Sequence, residues 1–145
     1  MLFVQTADAV LKYADAYLYK KTGLSVIKFR VLRILAANGG PMIPSEIAKR
    51  TLRDRHNITT LVARLKRDGL VTTGSNSNDK RCVNVTLTDR GWEVLNQAMP
   101  VTWEVVSQVM SSLAEGDVDL FEEPLGILRQ NACDGLEHLA KVEKP

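Results

Sequence analysis

The stretch DRHNITTLVARLKRDG, from Asp54 to Gly69, constrains this chain more than any other. Its apolar residues Ile58, Leu61, Val62 and Leu65 fall at i, i+3, i+4 and i+7, the spacing of one buried stripe on an α-helix. At about 100° per residue the opposite face carries His56, Thr60, Ala63 and Arg67, with Asn57, Thr59 and Arg64 on its flanks. Asp54 suits the N-cap, and Gly69 suits a left-handed residue past the helix end. The helix therefore needs a core on one side and water or a polar partner on the other.

Its neighbours narrow the architecture. Upstream, Pro44 fits a first helical turn, Glu46 suits the positive end of that helix, Ile47 and Ala48 would face inward, and TLR makes a short turn. Downstream, Leu70 to Thr73 and Cys82 to Leu87 flank the polar tip GSNSNDKR. Val83, Val85 and Leu87 alternate with Cys82, Asn84 and Thr86, so that arm predicts a strand with one buried and one wet face. The loop is longer than a two-residue hairpin turn. Met42-Ile43 is too short to read from pattern, though it could add a stub of strand to the hairpin, and Thr88 caps the next helix. Helix, turn, helix, hairpin, helix is the order of a winged helix-turn-helix, placed here at 42–91.

The outward face of the second helix has the chemistry to read a duplex. Asn and Arg make bidentate pairs with adenine and guanine edges, Thr donates to a base or touches the thymine methyl, and Ala63 permits close approach. Lys80 and Arg81 give the tip charges suited to a groove. Residues 44–90 hold ten Lys and Arg against five Asp and Glu, a surplus of five, whereas the whole chain carries only +2, leaving −3 for the remainder. A basic middle between acidic flanks is the distribution of a polyanion-binding module on a separate scaffold.

The flanks read as helices. Val4, Ala7, Val10, Leu11, Ala14, Tyr17 and Leu18 predict an amphipathic helix over 3–21 that needs something to pack on. Ser25 caps a helix over 26–37 whose apolar residues surround it, as in a central element. After Thr88 comes a long helix through Trp92, Leu95 and Met99 with a bend expected at Pro100, then one from about 117 to 139 that Pro124 could split. The 145 residues suit a single domain, with 1–37 and 92–145 as helical scaffold.

Other classes find little support. No signal peptide and no run of about 18 apolar residues is visible, which points to a cytoplasmic protein without membrane contact. Cys82 and Cys133 lie far apart with no ligand-spaced histidine, and His56 and His138 are equally isolated, so neither metal nor cofactor is implied. There is no Gly-rich phosphate loop, and Ser25 and Cys133 have no candidate base nearby in sequence, so an enzyme is not expected. The alternative is a winged helix used as a protein-protein interaction module without direct DNA binding. It would show an apolar outward face, where His56, Thr60 and Arg67 stand instead.

The segments LSVIKFRVLRIL, PSEIAKR, NITTLVARLKRDGLV, NSNDKR and LTDRG together resemble the MarR family of bacterial transcriptional regulators, closely over about 24–113 and loosely in the terminal helices. The resemblance implies a mainly α fold with a small β-hairpin wing, in which N- and C-terminal dimerisation helices interlock in a homodimer and two lobes grip a pseudo-palindromic double-stranded DNA operator. It makes Arg55, His56, Asn57, Thr59 and Thr60 candidates for base edges. Asp79 and Arg81 match the family's D-x-R wing motif, with the arginine in the minor groove and the aspartate holding the wing. Arg64, Arg67, Lys80 and Thr88 are phosphate candidates on charge and placement. Many members are repressors released by a small aromatic or phenolic effector. Tyr13, Tyr17, Phe29, Trp92 and Trp103 could line such a cleft, but their spacing is also that of core aromatics, and no effector site is assigned. Peroxide-sensing relatives use an N-terminal cysteine, absent before Cys82. The chain departs from the family pattern at Thr51-Leu52, where Leu-Gly is more usual, and at Ile43, where many relatives cap with Thr or Ser.

Overall fold

The computed structural model describes residues 1–75 and 83–142. Six helices and one hairpin follow in the order α1 (Leu2–Thr22), α2 (Val26–Asn38), α3 (Pro44–Thr51), α4 (Arg55–Arg67), β1 (Val71–Ser75), β2 (Val83–Leu87), α5 (Asp89–Met110) and α6 (Glu115–Val142). The chain divides into two compact units, Met1–Val106 and Ser107–Pro145.

In the first unit, α2 is the central element. Phe29, Val31, Leu32 and Leu35 are all buried, because the helix is touched on more than one side. Its start is held twice: Ser25 Oγ accepts from Lys28 N–H, and the Asp15 carboxylate of α1 accepts from Val26 N–H at 2.7 Å. Against α2 pack α3, through Ile47 and Ala48, and the wing strand β2. Helix α4 buries Ile58, Leu61, Val62 and Leu65, the stripe its spacing predicts. Each such side chain contributes about 1.5–3 kcal/mol on leaving water.

The wing is joined to this core at both ends. Met42 forms a backbone bridge with Val85, donating and accepting at 3.0 and 2.8 Å, so the stub of strand before α3 exists. At the far end the carbonyl of Leu70 accepts from Thr88 N–H, and Gly91 passes so close that a Cβ there would lie 2.1 Å from the same oxygen. Only glycine permits that approach.

Three details differ from the sequence pattern. Val83 belongs to the alternating apolar set, yet it is 46% exposed; it pairs with Ser75 at the outer end of the hairpin, beyond the reach of the core that buries Val85. Leu52 takes the left-handed conformation, φ 54°, at the turn between α3 and α4. Leucine there bears strain that glycine would not. Helix α5 contains Pro100 within its span, as the long helix read from the sequence does. Helix α6 likewise runs unsplit through Pro124; the lost N–H strands only one carbonyl, that of Leu120, on an exposed turn where water can take its place.

The second unit contains the end of α5 and all of α6. None of the described α6 residues is buried. Leu120, Ile127, Leu136 and Leu139 are each more than half exposed.

Candidate nucleic-acid interface

The recognition surface starts from what α4 leaves outside. Arg55, His56, Asn57, Thr59, Thr60, Arg64 and Arg67 are all exposed, and the helix stands as a ridge with a groove on each side. One groove, about 320 Å³, lies towards the start of α3 and the wing, lined by Pro44, Ser45, Arg55, Thr59, Thr73 and Val83 among others. The other, about 410 Å³, lies towards α2 and is lined by Ile27, Arg53, His56, Asn57, Thr60 and Arg64 among others. A polar helix flanked by two grooves can enter the major groove of a duplex while the walls beside it meet the sugar-phosphate backbone.

Hydrogen bonding sorts these side chains by readiness. Arg55, His56, Thr60 and Arg64 have no side-chain partner among the described residues, so their donors are free. Asn57 donates weakly to Asp54 at 3.4 Å, a contact that a base edge can replace. Thr59 gives its hydroxyl proton to the Arg55 carbonyl at 2.9 Å, which leaves it a methyl and an acceptor to present. Arg67 makes only a loose contact of 4.0 Å with Asp68. Thr88 differs in kind from the other phosphate candidates: its hydroxyl donates to the Gly69 carbonyl at 2.7 Å and accepts from Gly91 N–H at 3.0 Å. It caps α5, and its proton is spent inside the lobe. Asp79, Lys80 and Arg81 lie outside the described residues, as does Cys82.

Two ties fix the pitch of α4. Lys66 donates to Thr73 of β1 at 2.8 Å, and Lys28 of α2 reaches Asp68 just past the C-terminal end of α4 at 2.7 Å. The Lys28 hydrogen bond holds the Asp68 carboxyl below its usual range, with burial opposing and nearby cations assisting. Arg53 was not singled out by the helix pattern because it sits in the turn, outside any periodic stripe. A cation immediately before a helix that reads as a DNA-contacting element was the available signal.

A cavity of about 320 Å³ lies within the first unit, bordered by α1, α2 and α5. Of the aromatics considered for a ligand cleft, Phe29 and Trp103 line it, while Tyr13, Tyr17 and Trp92 do not. Arg30 and Arg33 of α2 also line it. Among the described residues no cluster of three or more metal-ligating side chains occurs, and no helix is long and apolar enough to cross a membrane.

This arrangement agrees with the relationships of the sequence. The MarR family model matches residues 22–81. The transcriptional repressor IacR of Pseudomonas putida is 34% identical over 114 residues, covering 79% of this chain and 68% of that protein. The chain belongs to the MarR family. The repressor YetL of Bacillus subtilis (strain 168) is 36% identical over 107 residues, covering 73% of this chain and 64% of its own length, so the match spans a little under two thirds of that relative. Among solved structures, the MarR family regulator Sco3205 of Streptomyces coelicolor, in complex with DNA, superposes with a TM-score of 0.81 at 26% identity, over 89% of this chain and 82% of that one. MarR family proteins are DNA-binding transcriptional regulators and not enzymes.

Proposed function

We propose that this chain is a cytoplasmic, homodimeric regulator that binds a pseudo-palindromic operator in double-stranded DNA and represses until a small aromatic or phenolic ligand releases it. The observation that carries this reading is the exposed α4 ridge between two open grooves, on which Arg55, His56, Thr60 and Arg64 have no side-chain partner among the described residues. Arg55, His56, Asn57, Thr59 and Thr60 read base edges, while Arg64 and Arg67 hold phosphates. Arg53, in the wall of the groove beside His56, joins them as a phosphate contact. Asp79, Lys80 and Arg81 serve the wing by their match to the family motif. Residues 42–91 form the DNA-binding lobe, and the apolar faces of α1 and α6 supply the subunit contact.

Selection of bound fragments from genomic DNA, followed by gel-shift titration, tests the proposal. Six to ten phosphate contacts imply a loss of about a thousandfold or more in affinity between about 50 and 200 mM salt. Arg81→Ala should weaken operator binding while light scattering still reports a dimer. Asn57→Ala should relax base preference at one position by about 1–3 kcal/mol. Tight binding with no salt dependence, or the same selected motif from parent and Asn57→Ala, would count against the assignments.

A further inference from the structure

The two grooves beside α4 differ in chemistry. The one towards α2 is walled by Arg53, His56, Asn57 and Arg64. The one towards the wing is mostly apolar, with Pro44, Val62, Ala63 and Val83 in its lining and Thr59 among them. Arg55, Thr59 and Ala63 recur every four residues, so they share one face of the helix. On that face the Thr59 hydroxyl is turned back on its own helix, giving its proton to the Arg55 carbonyl at 2.9 Å. The proton is therefore withheld from the O4 of a thymine and the O6 of a guanine. An adenine or cytosine amino group entering here would find one hydroxyl oxygen beside a mostly apolar wall, a poor exchange for water. A methyl group would meet carbon on most sides, including the methyls of Thr59 and of the exposed Ala63.

Charge fits the same guest. Arg55 and Lys66, near opposite ends of α4, line this groove, and no carboxylate does among the described residues. Lys66 donates to Thr73 of β1 at 2.8 Å, which leaves two of its N–H groups for a phosphate. In the major groove of a duplex the thymine C5-methyl is the one apolar group that a base pair presents, and the phosphate backbones border it. Resting on the proposed DNA binding, we infer that Thr59, with Ala63 beside it, selects a thymine in each half-site by contact with the C5-methyl and not by a hydrogen bond. The two flanks of α4 thus read different features of the bases: carbon on the wing side, and heteroatoms on the side of His56 and Asn57.

Operator duplexes recovered by selection should be rebuilt with a single thymine of one half-site replaced by deoxyuridine, which removes the methyl and keeps every hydrogen-bonding group. Gel-shift titration of the full chain should find a position at which this replacement raises Kd roughly fourfold, the effect of one buried methyl group. Thr59 is exposed, so changing it leaves the core intact. Thr59→Ser keeps the hydroxyl and loses the methyl in both subunits. It should bind the parent operator roughly fifteenfold more weakly, about fourfold for each half-site, and lose the preference for thymine over uracil at that position. Thr59→Val keeps the methyl and loses the hydroxyl; it should bind within about twofold of the parent chain and retain the preference. Absence of any uracil-sensitive thymine, or a full thymine preference in Thr59→Ser at every sensitive position, overturns the inference. So does a Thr59→Val chain that binds roughly tenfold more weakly while Thr59→Ser binds as the parent does, since the hydroxyl would then be the reader. A parent chain that binds no duplex would sink the proposed function and this contact with it, a result distinct from binding that ignores the methyl.

Discussion

Helices α4 and α6 are both amphipathic in sequence, yet they differ in how their apolar residues are covered. Helix α4 places Ile58, Leu61, Val62 and Leu65 inside its own lobe and shows water a face of His, Asn, Thr and Arg. Helix α6, at 28 residues, keeps Leu120 71% and Leu139 59% exposed. Apolar surface on that scale marks an interaction site. Family members are dimeric, and α6 offers what a subunit contact needs. The contrast teaches that an exposed face should be judged by its chemistry: a polar face over a finished core recognises a polar partner, and an apolar face without a core awaits a protein surface.

The sharpest way to break this contrast is to overfill the lobe. Gly91→Ala forces a Cβ against the Leu70 carbonyl at the junction of wing and α5. It should cost about 3 kcal/mol in urea denaturation. Gly126 of α6, where a Cβ would meet nothing within 4 Å, should accept alanine without loss of helix content. Similar costs at both positions would erase the distinction.

Leu128→Glu places a charge on the open α6 face, where Leu128 is 46% exposed. The dimer should weaken by about 2 kcal/mol in analytical ultracentrifugation, with the helical circular dichroism of the chain retained. A full-strength dimer would remove that face from the contact.

Leu52→Gly relieves the left-handed strain in the turn before α4. After the extra backbone entropy of glycine is offset, the gain should be about 0.5 kcal/mol in denaturant stability. No gain would mean that the leucine side chain, though 55% exposed, makes contacts worth its strain.

The smallest effect is the pH dependence of the tie between α2 and α4. Asp68 has its carboxyl depressed by Lys28, so its contribution is present above the unfolded carboxylate pKa and is lost as pH falls through the folded value. Melting temperature should therefore drop on acidification below about pH 4, and Lys28→Met should flatten that drop. At neutral pH the same variant should cost only a few tenths of a kcal/mol, because both side chains are partly exposed and screened. An unchanged acid limb would show that the contact does not steady the helix.

Much of this was legible before any coordinates. The apolar spacing of α4, the cap at Ser25 and the left-handed Gly69 are products of local chemistry, and each recurs in the structure. The bridge from Met42 to Val85 was only an option in the sequence, because Met42-Ile43 is too short for a pattern. Side-chain partnerships were not legible. The cap that Thr88 gives α5 was read from the sequence, but the bond from its hydroxyl to the Gly69 carbonyl, 19 residues back, was not.

By itself, then, the sequence determined which elements form, which side of each is apolar and which surface has the chemistry to meet a duplex. Tertiary structure alone decided that Arg30 and Arg33 share a cavity with Trp103, that Lys28 holds Asp68, and that Leu52 bears the strained turn. The reason is physical. Periodicity is a property of one segment and states which residues must leave water, whereas the distance between side chains of different segments depends on how helices pack, which no short-range pattern records.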